Sequence, residues 1–449
     1  MKKIKVFLAV LFCKCVRFAA KLLGRGSSLP GALTLKLFPG ILGDITLPEK
    51  IIAVTGSNGK TSTVEMIAHV LISSGKKVAY NKEGSNQIEG ITTFLLNDCT
   101  LSGKVKSEIV LMESDERFAR HTFKFFKPNY FIVTNLYRDQ LTRNGHPEWV
   151  YRSIEKAVSD GVTLILNADD PLVSLFGKDR EGTVYFGMEK NAYSSSTCTG
   201  VYNDGKYCPC CGEIIDYEYY HFAHIGRFNC KNCGYGNSNR DFSVTSLDLE
   251  NKKLTINEKY NITLAFDGRY NVYNICAAFA VCSLAGVDNE DIARSLSDFV
   301  MKNGRVVQFE AGENRGVLLT SKHEHSVSYN QSIEYVARRK KKTNVFFIVD
   351  EISRKYFTGE TSWFWDIDFE ALKASSAENI YLCGKYAPEL ALRFSFTGIE
   401  NERVKFVPNL EDMKRFLYEP TENEIFVITC FSDKDKLLSR VKALTPTAK

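Results

Sequence analysis

The stretch VTGSNGKTST, Val54 to Thr63, joins an apolar run to a helix-forming segment through a glycine-rich turn. That combination suits a polyphosphate. Backbone N–H groups of the turn and of the helix start can surround phosphate oxygens. Gly56 and Gly59 permit a close approach that a side chain would obstruct, and Ser57, Asn58 and Ser62 share the same candidate lining. Lys60 offers a cation to the β- and γ-phosphates, and the Thr61 hydroxyl can bind Mg²⁺. Two residues separate the glycines, where the full phosphate-loop consensus has four. The strand pattern before the turn and the helix pattern after it count against a chance Gly-Lys-Thr turn. Further along, VLMESDE sets Glu113, Asp115 and Glu116 at the end of an apolar run of strand length. Ligands of open α/β sheets bind at strand ends, and Mg²⁺ takes one or two carboxylates beside phosphate oxygens. Glu113 is the candidate Mg²⁺ ligand; taken alone, such an acidic cluster is more often a solvated loop.

A second chemistry resides in two Cys-x-x-Cys pairs, Cys208/Cys211 and Cys230/Cys233, with 18 residues between them. This spacing suits tetrahedral Zn²⁺, and four thiolates leave no open coordination position, so the expected site is structural. Cys210, inside the first pair, is expected to be a bystander, and His221 and His224 to pack the knuckle. Zinc knuckles often bind nucleic acid, but this one carries Glu213, Asp216 and Glu218 against Arg227, Lys231 and Arg240. That balance attracts phosphate weakly. Tyr217, Tyr219, Tyr220 and Phe222 can stack on bases or pack the insert onto its own domain; packing is the favoured reading, with no nucleic-acid partner.

The elements that must hold these residues are legible in the periodicity. KIIAVTG, KVAYN, EIVLME, YFIVTNL and VTLILNAD are short apolar runs with helical segments between them. Such alternation implies a parallel sheet covered on both faces. The cysteine-rich insert of about 200–240 follows. DFSVTSLDLENKKLTINEKYNITLAF then reads as antiparallel strands, and YNVYNICAAFAVCSLAG begins a helical stretch. A second α/β unit is expected from near 315, with strands VFFIVD, NIYLCG, RVKFV and EIFVITC; the basic run ARRKKKT before them reads as a solvated helix end. At the N-terminus, an apolar run of about nine residues is interrupted by Lys14 and Arg17, too short to cross a bilayer. Apolar residues continue at helical spacing through Leu22. An amphipathic helix is expected, packed on the next domain or resting on a membrane surface; a cleaved signal is the weakest reading.

The 449 residues allow two or three domains, and 44% hydrophobic with 25% charged residues is ordinary for a globular chain. A net charge of +5 falls short of a dedicated nucleic-acid binder. Thirteen cysteines, an odd number scattered through apolar runs, imply a reducing, cytoplasmic setting.

TGSNGKTS resembles the ATP loop of the Mur ligases, which join amino acids to peptidoglycan precursors. A wider set is similar to the MurT-type ligase subunits of lipid II isoglutaminyl synthase. It comprises NKEGSNQIEGIT, VTNLYRDQLTRNG, LILNADDP, the four-cysteine insert, FDGRYNVYNICAA, NGR and TSWFWDIDFE, in the family's order from about residue 50 to 370. The resemblance implies an N-terminal helix and linker over 1–48, a Mur-type ATP-binding domain over 49–305 with an inserted zinc ribbon, and a Rossmann-like α/β domain over 306–449. It further implies ATP and Mg²⁺, activation of the D-glutamate α-carboxylate of the lipid II stem peptide as an acyl phosphate, and ammonia from a GatD-type glutaminase subunit. The setting would be the cytoplasm, at the inner face of the membrane where lipid II lies. Asn271 would lie near the nucleotide and Arg305 would reach its phosphates; alone, Asn271 reads as a helix N-cap.

The chain departs from the family pattern at two places. Where the family has an Asp before Thr-Ser-Trp, thought to complete the partner's Cys-His pair, this chain has Glu360. A Glu can also orient a histidine, and Asp366 and Asp368 are acids close by. The family's Asn-Pro-Ala-Gly element is absent from LLTSKHEHSVSYNQS, where His323 and His325 have the spacing of metal ligands, although a lone His-x-His is more often a polar strand edge. Two other functions stay open at this level: a Mur-type ligase that adds an amino acid, and an ATP-binding zinc-ribbon scaffold without turnover.

Overall fold

Strand residues alternate between two buried faces, and that period of two sets the layers of both sheets. The computed structural model describes all residues except Met1, 23–26, Glu83, 139–143, Thr199, 266–267, 301–305, His323, 353–358, 445–449 and the side chain of Tyr270. Arg305 therefore lies outside the described residues. The chain divides into two compact units, the larger made of most of residues 1–300.

The larger unit is built on β1 (Lys50–Thr55), β2 (Val78–Tyr80), β3 (Ile109–Glu113), β4 (Tyr130–Val133), β5 (Thr163–Asn167) and β6 (Val184–Met188). The hairpin β7 (Asp216–Phe222) and β8 (Ile225–Asn229) stands apart, and β9 (Phe242–Asp248), β10 (Lys253–Ile256) and β11 (Tyr260–Thr263) follow. The sheet order is β11-β10-β9-β6-β5-β4-β1-β3-β2. Every pair from β2 to β9 is parallel, and only the two hairpin pairs at the far edge are antiparallel. Sequence periodicity anticipates β1 to β5 and the antiparallel run; β6, VYFGM with a glycine inside it, has too weak a pattern to read.

Ile51 and Ala53 of β1, Val110 and Met112 of β3, and Phe131 and Val133 of β4 face one core cluster. Helices α1 (Lys2–Leu22), α2 (Leu29–Leu37) and α4 (Ile88–Asp98) lie on that side, and Val6, Ala9, Val10 and Cys13 of α1 belong to the same cluster. The first segment is thus packed into the core. Helix α3 (Lys60–Ser73) and the helix Arg269–Leu284 pack against each other and the sheet. Val272, Tyr273 and every residue from Ile275 to Cys282 are buried, as expected of a helix apolar on all sides. None of the described helices is long and apolar enough to cross a membrane.

The second unit contains β12 (Val306–Ala311), β13 (Asn314–Ser321), β14 (Thr343–Ile348), β15 (Ala377–Cys383), β16 (Val404–Val407), β17 (Glu424–Cys430) and the short β18 (Lys442–Ala443), in the order β16-β15-β14-β17-β13-β12-β18. Val345 and Phe347 face one core, Phe346 and Ile348 the other. The four strands legible in the sequence, β14 to β17, form its parallel centre. The hairpin β12–β13 was not legible: its alternation is broken by Gly316 and charged residues at its turn. His325 is no strand edge, as its sequence neighbours suggested. It is buried after β13, and its Nδ1 accepts from the N–H of Ser328 at 3.0 Å, capping the helix Ser326–Ala337.

Gly31 of α2 shows how closely the helices on the first core approach. Its N–H donates to Thr93 Oγ1 at 2.8 Å, and a Cβ there would lie 1.9 Å from the carbonyl oxygen of Glu89. Gly31→Ala must push α2 off α4. Denaturant unfolding is expected to show a loss of about 1–3 kcal/mol.

Candidate active site

β1 ends at Thr55, and the chain turns through Gly56–Gly59 into α3. Gly56 has φ 128° and Gly59 φ 84°, backbone that favours glycine. A Cβ on Gly56 would lie 2.3 Å from Thr134 Oγ1, and one on Gly59 would lie 2.1 Å from Asn274 Oδ1. The turn is held from behind by the end of β4. The N–H of Ser57 donates to the Asn135 carbonyl (2.9 Å), and the N–H of Asn58 to Asn135 Oδ1 (2.8 Å). Thr134 Oγ1 and Asn135 Nδ2 both donate to the Asn58 carbonyl, at 2.7 and 3.1 Å. Ser57 Oγ donates to the Tyr137 carbonyl (3.1 Å) and accepts from its N–H (3.0 Å). The loop is therefore preorganised, and α3 points the N–H groups of its first turn, Lys60 to Ser62, at the space beyond it.

Lys60 is buried. Its ammonium donates to Glu116 Oε2 at 2.9 Å, and also to the carbonyls of Gly56 and Ser57. Thr61 Oγ1 donates to Glu113 Oε2 at 2.7 Å, while Asn86 Nδ2 donates to Glu113 Oε1 at 2.9 Å. Asn81 grips the backbone of Glu113, accepting from its N–H and donating to its carbonyl, each at 2.9 Å. Glu113, Asp115 and Glu116 are all buried, so the cluster at the end of β3 is no solvated loop. Six octahedral Mg²⁺ ligands at about 2.0–2.1 Å have neighbouring oxygens roughly 2.9 Å apart. The Thr61–Glu113 oxygen pair lies near that spacing, so both atoms fit as ligands of one such ion.

Asn271 lies in the first turn of the helix Arg269–Leu284, whose N-cap is Gly268. The capping reading of Asn271 is thereby corrected. Its Oδ1 lies 3.4 Å from Nδ2 of Asn274, the side chain set against Gly59. Asn274, Asn135, Asn81 and Asn86 are site residues that spacing alone did not single out. All four fall in stretches shared with the family resemblance, which is the signal that could have found them.

Cys208, Cys211, Cys230 and Cys233 converge beside the β7–β8 hairpin, with their Sγ atoms within 4.8 Å of one another. Sγ separations of 3.6 Å for Cys208–Cys233 and 3.5 Å for Cys211–Cys230 approach the roughly 3.8 Å edge of a tetrahedron with Zn–S bonds of about 2.3 Å. The cluster is fit to hold zinc. Cys210 is outside it, with Lys178 Nζ at 3.5 Å. His221 and His224 are buried packing residues. His221 bonds Ser194 Oγ and the Met188 carbonyl, each at 3.1 Å, and burial lowers its pKa. Burial opposes charge on His224, but Asp170, 3.6 Å away, more than offsets this and raises its pKa.

Two adjacent buried carboxylates tie this insert to the strands beside the loop. Asp169 Oδ1 accepts from Arg240, and its Oδ2 accepts from Tyr273 OH and the Met188 N–H, both at 2.8 Å. Asp170 Oδ2 accepts from the Leu136 N–H at 2.8 Å, and its Oδ1 caps the helix Pro171–Leu175. At the hairpin tip, Phe222 stacks on Tyr137, the residue that grips Ser57.

In the second unit, Glu360 is half-buried. Its Oε1 accepts from the Ser362 N–H at 2.7 Å, and hydrogen bonding from the Ser362 side chain, then from that N–H, holds the carboxyl below its usual range. Asp368 differs: burial, then repulsion from Glu370, pushes its carboxyl up to about 6.

These features coincide with known proteins. Residues 54–234 match the family model for the Mur ligase middle domain, and 325–433 that for the MurT ligase C-terminal. A pseudomurein peptide ligase type C from Methanothermus fervidus has a similar fold, with TM-score 0.68 and 19% identity over 89% of this chain and 80% of that one. Fold and site together define an ATP-dependent ligase of the Mur class. Two curated relatives are named as the MurT subunit of lipid II isoglutaminyl synthase (glutamine-hydrolyzing). That of Staphylococcus aureus is 30% identical over 87% of this chain and 88% of its own length; that of Streptococcus pneumoniae is 30% identical over 96% and 95%. The chain belongs to the MurT family.

Cys230→Ser is expected to lose bound zinc and Cys210→Ser to retain it at one ion per chain, as measured by elemental analysis of the purified protein.

Proposed function

We propose that the chain amidates the α-carboxylate of the D-glutamate in the lipid II stem peptide, at the cytoplasmic face of the membrane, with ATP and with ammonia from a glutaminase partner subunit. The observation that carries this reading is the buried Lys60–Glu116 pair beside Thr61–Glu113, on a preorganised loop, in a chain of the MurT family. Gly56 to Ser62 cradle the triphosphate through backbone N–H groups. Lys60 turns its ammonium from Glu116 to the phosphate oxygens, where it neutralises charge that grows during transfer. Thr61 and Glu113 would hold Mg²⁺, which supplies further charge neutralisation on the phosphates. Asn271 lies near the nucleotide beside Asn274, and the family resemblance assigns Arg305 to the phosphates.

The reaction then has two steps. A carboxylate oxygen of D-glutamate attacks the γ-phosphorus and ADP leaves, giving an acyl phosphate. Ammonia attacks the acyl carbon, the C–O bond to phosphate breaks, and inorganic phosphate departs with D-isoglutamine formed. The glutaminase partner supplies the ammonia, and Glu360 accepts a hydrogen bond from the partner's histidine. The low pKa of Glu360 supports this role, since an ionised carboxylate orients an imidazole best.

Lys60→Ala is expected to abolish substrate-dependent ADP release, at least a thousandfold below the parent, with zinc content unchanged; turnover near the parent rate would reject the assignment of this site. Glu360→Ala is expected to lose glutamine-dependent amidation in the complex with its partner while keeping activity with ammonium salts, and Glu360→Asp to restore part of the former. Equal loss with both nitrogen donors would place Glu360 outside the partner's chemistry. ADP release that needs an amino acid and no partner would replace this function with amino-acid ligation.

A further inference from the structure

Helix α1 has two apolar faces. One, with Val6, Ala9, Val10, Cys13 and Ala20, is buried. On the opposite side Ile4, Leu8, Leu11, Cys15, Phe18 and Leu22 follow one another at intervals of four and three residues, which aligns them in a single row. That row faces solvent along the whole helix: Ile4 is 65% exposed, Phe18 74% and Leu22 78%. Single exposed apolar residues are ordinary, but a continuous row marks a contact surface.

The charges beside the row are all of one sign. Lys2–Leu22 contains no acidic residue. Lys2 and Lys5, on the far flank, are paired with Asp44. At about 100° per residue, Lys3, Lys14 and Lys21 fall together on the other flank, and Lys3 and Lys21 are exposed. A second copy of the chain laid along the row would set lysines near lysines. A surface of lipid phosphates offers the opposite charge and an apolar interior beneath it.

We infer that the outer row of α1 is the face by which this chain rests on an anionic bilayer. Phe18, Leu22, Leu8 and Ile4 enter the boundary between headgroups and acyl chains, and Lys3 and Lys21 extend to the phosphates. The helix lies in the plane of the surface, because its other face is fixed in the protein core. The inference deepens the proposed function and rests on it for its purpose, since it brings the chain to the surface that holds a lipid-linked substrate. Vesicles without any such substrate test it separately.

The full chain is sedimented with vesicles of phosphatidylcholine alone and of phosphatidylcholine with phosphatidylglycerol. It is expected to bind the anionic vesicles and to be released by salt. Phe18→Glu with Leu22→Glu is expected to lower binding roughly tenfold or more. Lys3→Glu with Lys21→Glu is expected to remove the preference for phosphatidylglycerol. Thermal melting and zinc content of both variants stay at parental values, because all four side chains are exposed. No binding to anionic vesicles, equal binding to both compositions, or undiminished binding by the Phe18/Leu22 variant overturns the inference. So does a parent chain that is dimeric in solution, stays off vesicles and becomes monomeric in that variant. Vesicle binding with no amidation activity would leave this surface standing and reject the enzymatic reading instead.

Discussion

A buried ammonium governs the centre of the larger unit. Removing one partner of a buried ion pair costs about 3–5 kcal/mol, because the remaining charge is stranded in a poor solvent. Lys60 therefore depends on Glu116 and on the carbonyls of Gly56 and Ser57. Those carbonyls are in place only because Gly56 and Gly59 take backbone conformations that leave no room for a Cβ, against Thr134 on one side and Asn274 on the other. The loop, the end of β4 and the helix Arg269–Leu284 are thus one device. In the proposed function the lysine changes partners, since phosphate oxygens can replace a carboxylate at the same donor.

The second constraint is the pair Asp169–Asp170. Each carboxylate is fully buried and each is satisfied from more than one direction. Asp169 joins β5 to Arg240 and Tyr273, and Asp170 joins the end of β4 to His224 of the insert. The four-cysteine insert is fastened to the larger unit by buried polar contacts and by the stacking of Phe222 on Tyr137. Its aromatic residues serve packing within its own unit, which agrees with the weak and mixed charge of the insert.

Much of this was legible in the sequence, and the reason is local. β1, β3, β4 and β5 are unbroken apolar runs because both faces of a central parallel strand are covered. The Gly-Ser-Asn-Gly-Lys-Thr turn and the four cysteines are chemistry written in consecutive residues. β6, β12 and β13 were not legible, because their partners are distant in sequence and their own alternation is broken. Asn135 and Asn274 escaped for a related reason: an asparagine that holds a loop differs from one that faces water only in what the fold brings near it. His325 misled because two histidines near a strand suggest an edge, whereas a buried helix start accepts the same residue as a cap.

The place of the insert in the sheet has a consequence for the assembly of its edge. β6 and β9 are neighbours and parallel, so the whole chain between Met188 and Phe242 is a loop closed by their pairing. Closing a long floppy connection costs chain entropy that rises with its length. A metal held by the four cysteines from Cys208 to Cys233 would shorten the connection still free to wander. Metal bound there would then favour the closed sheet, and its loss would weaken the β9–β11 edge as well as the insert.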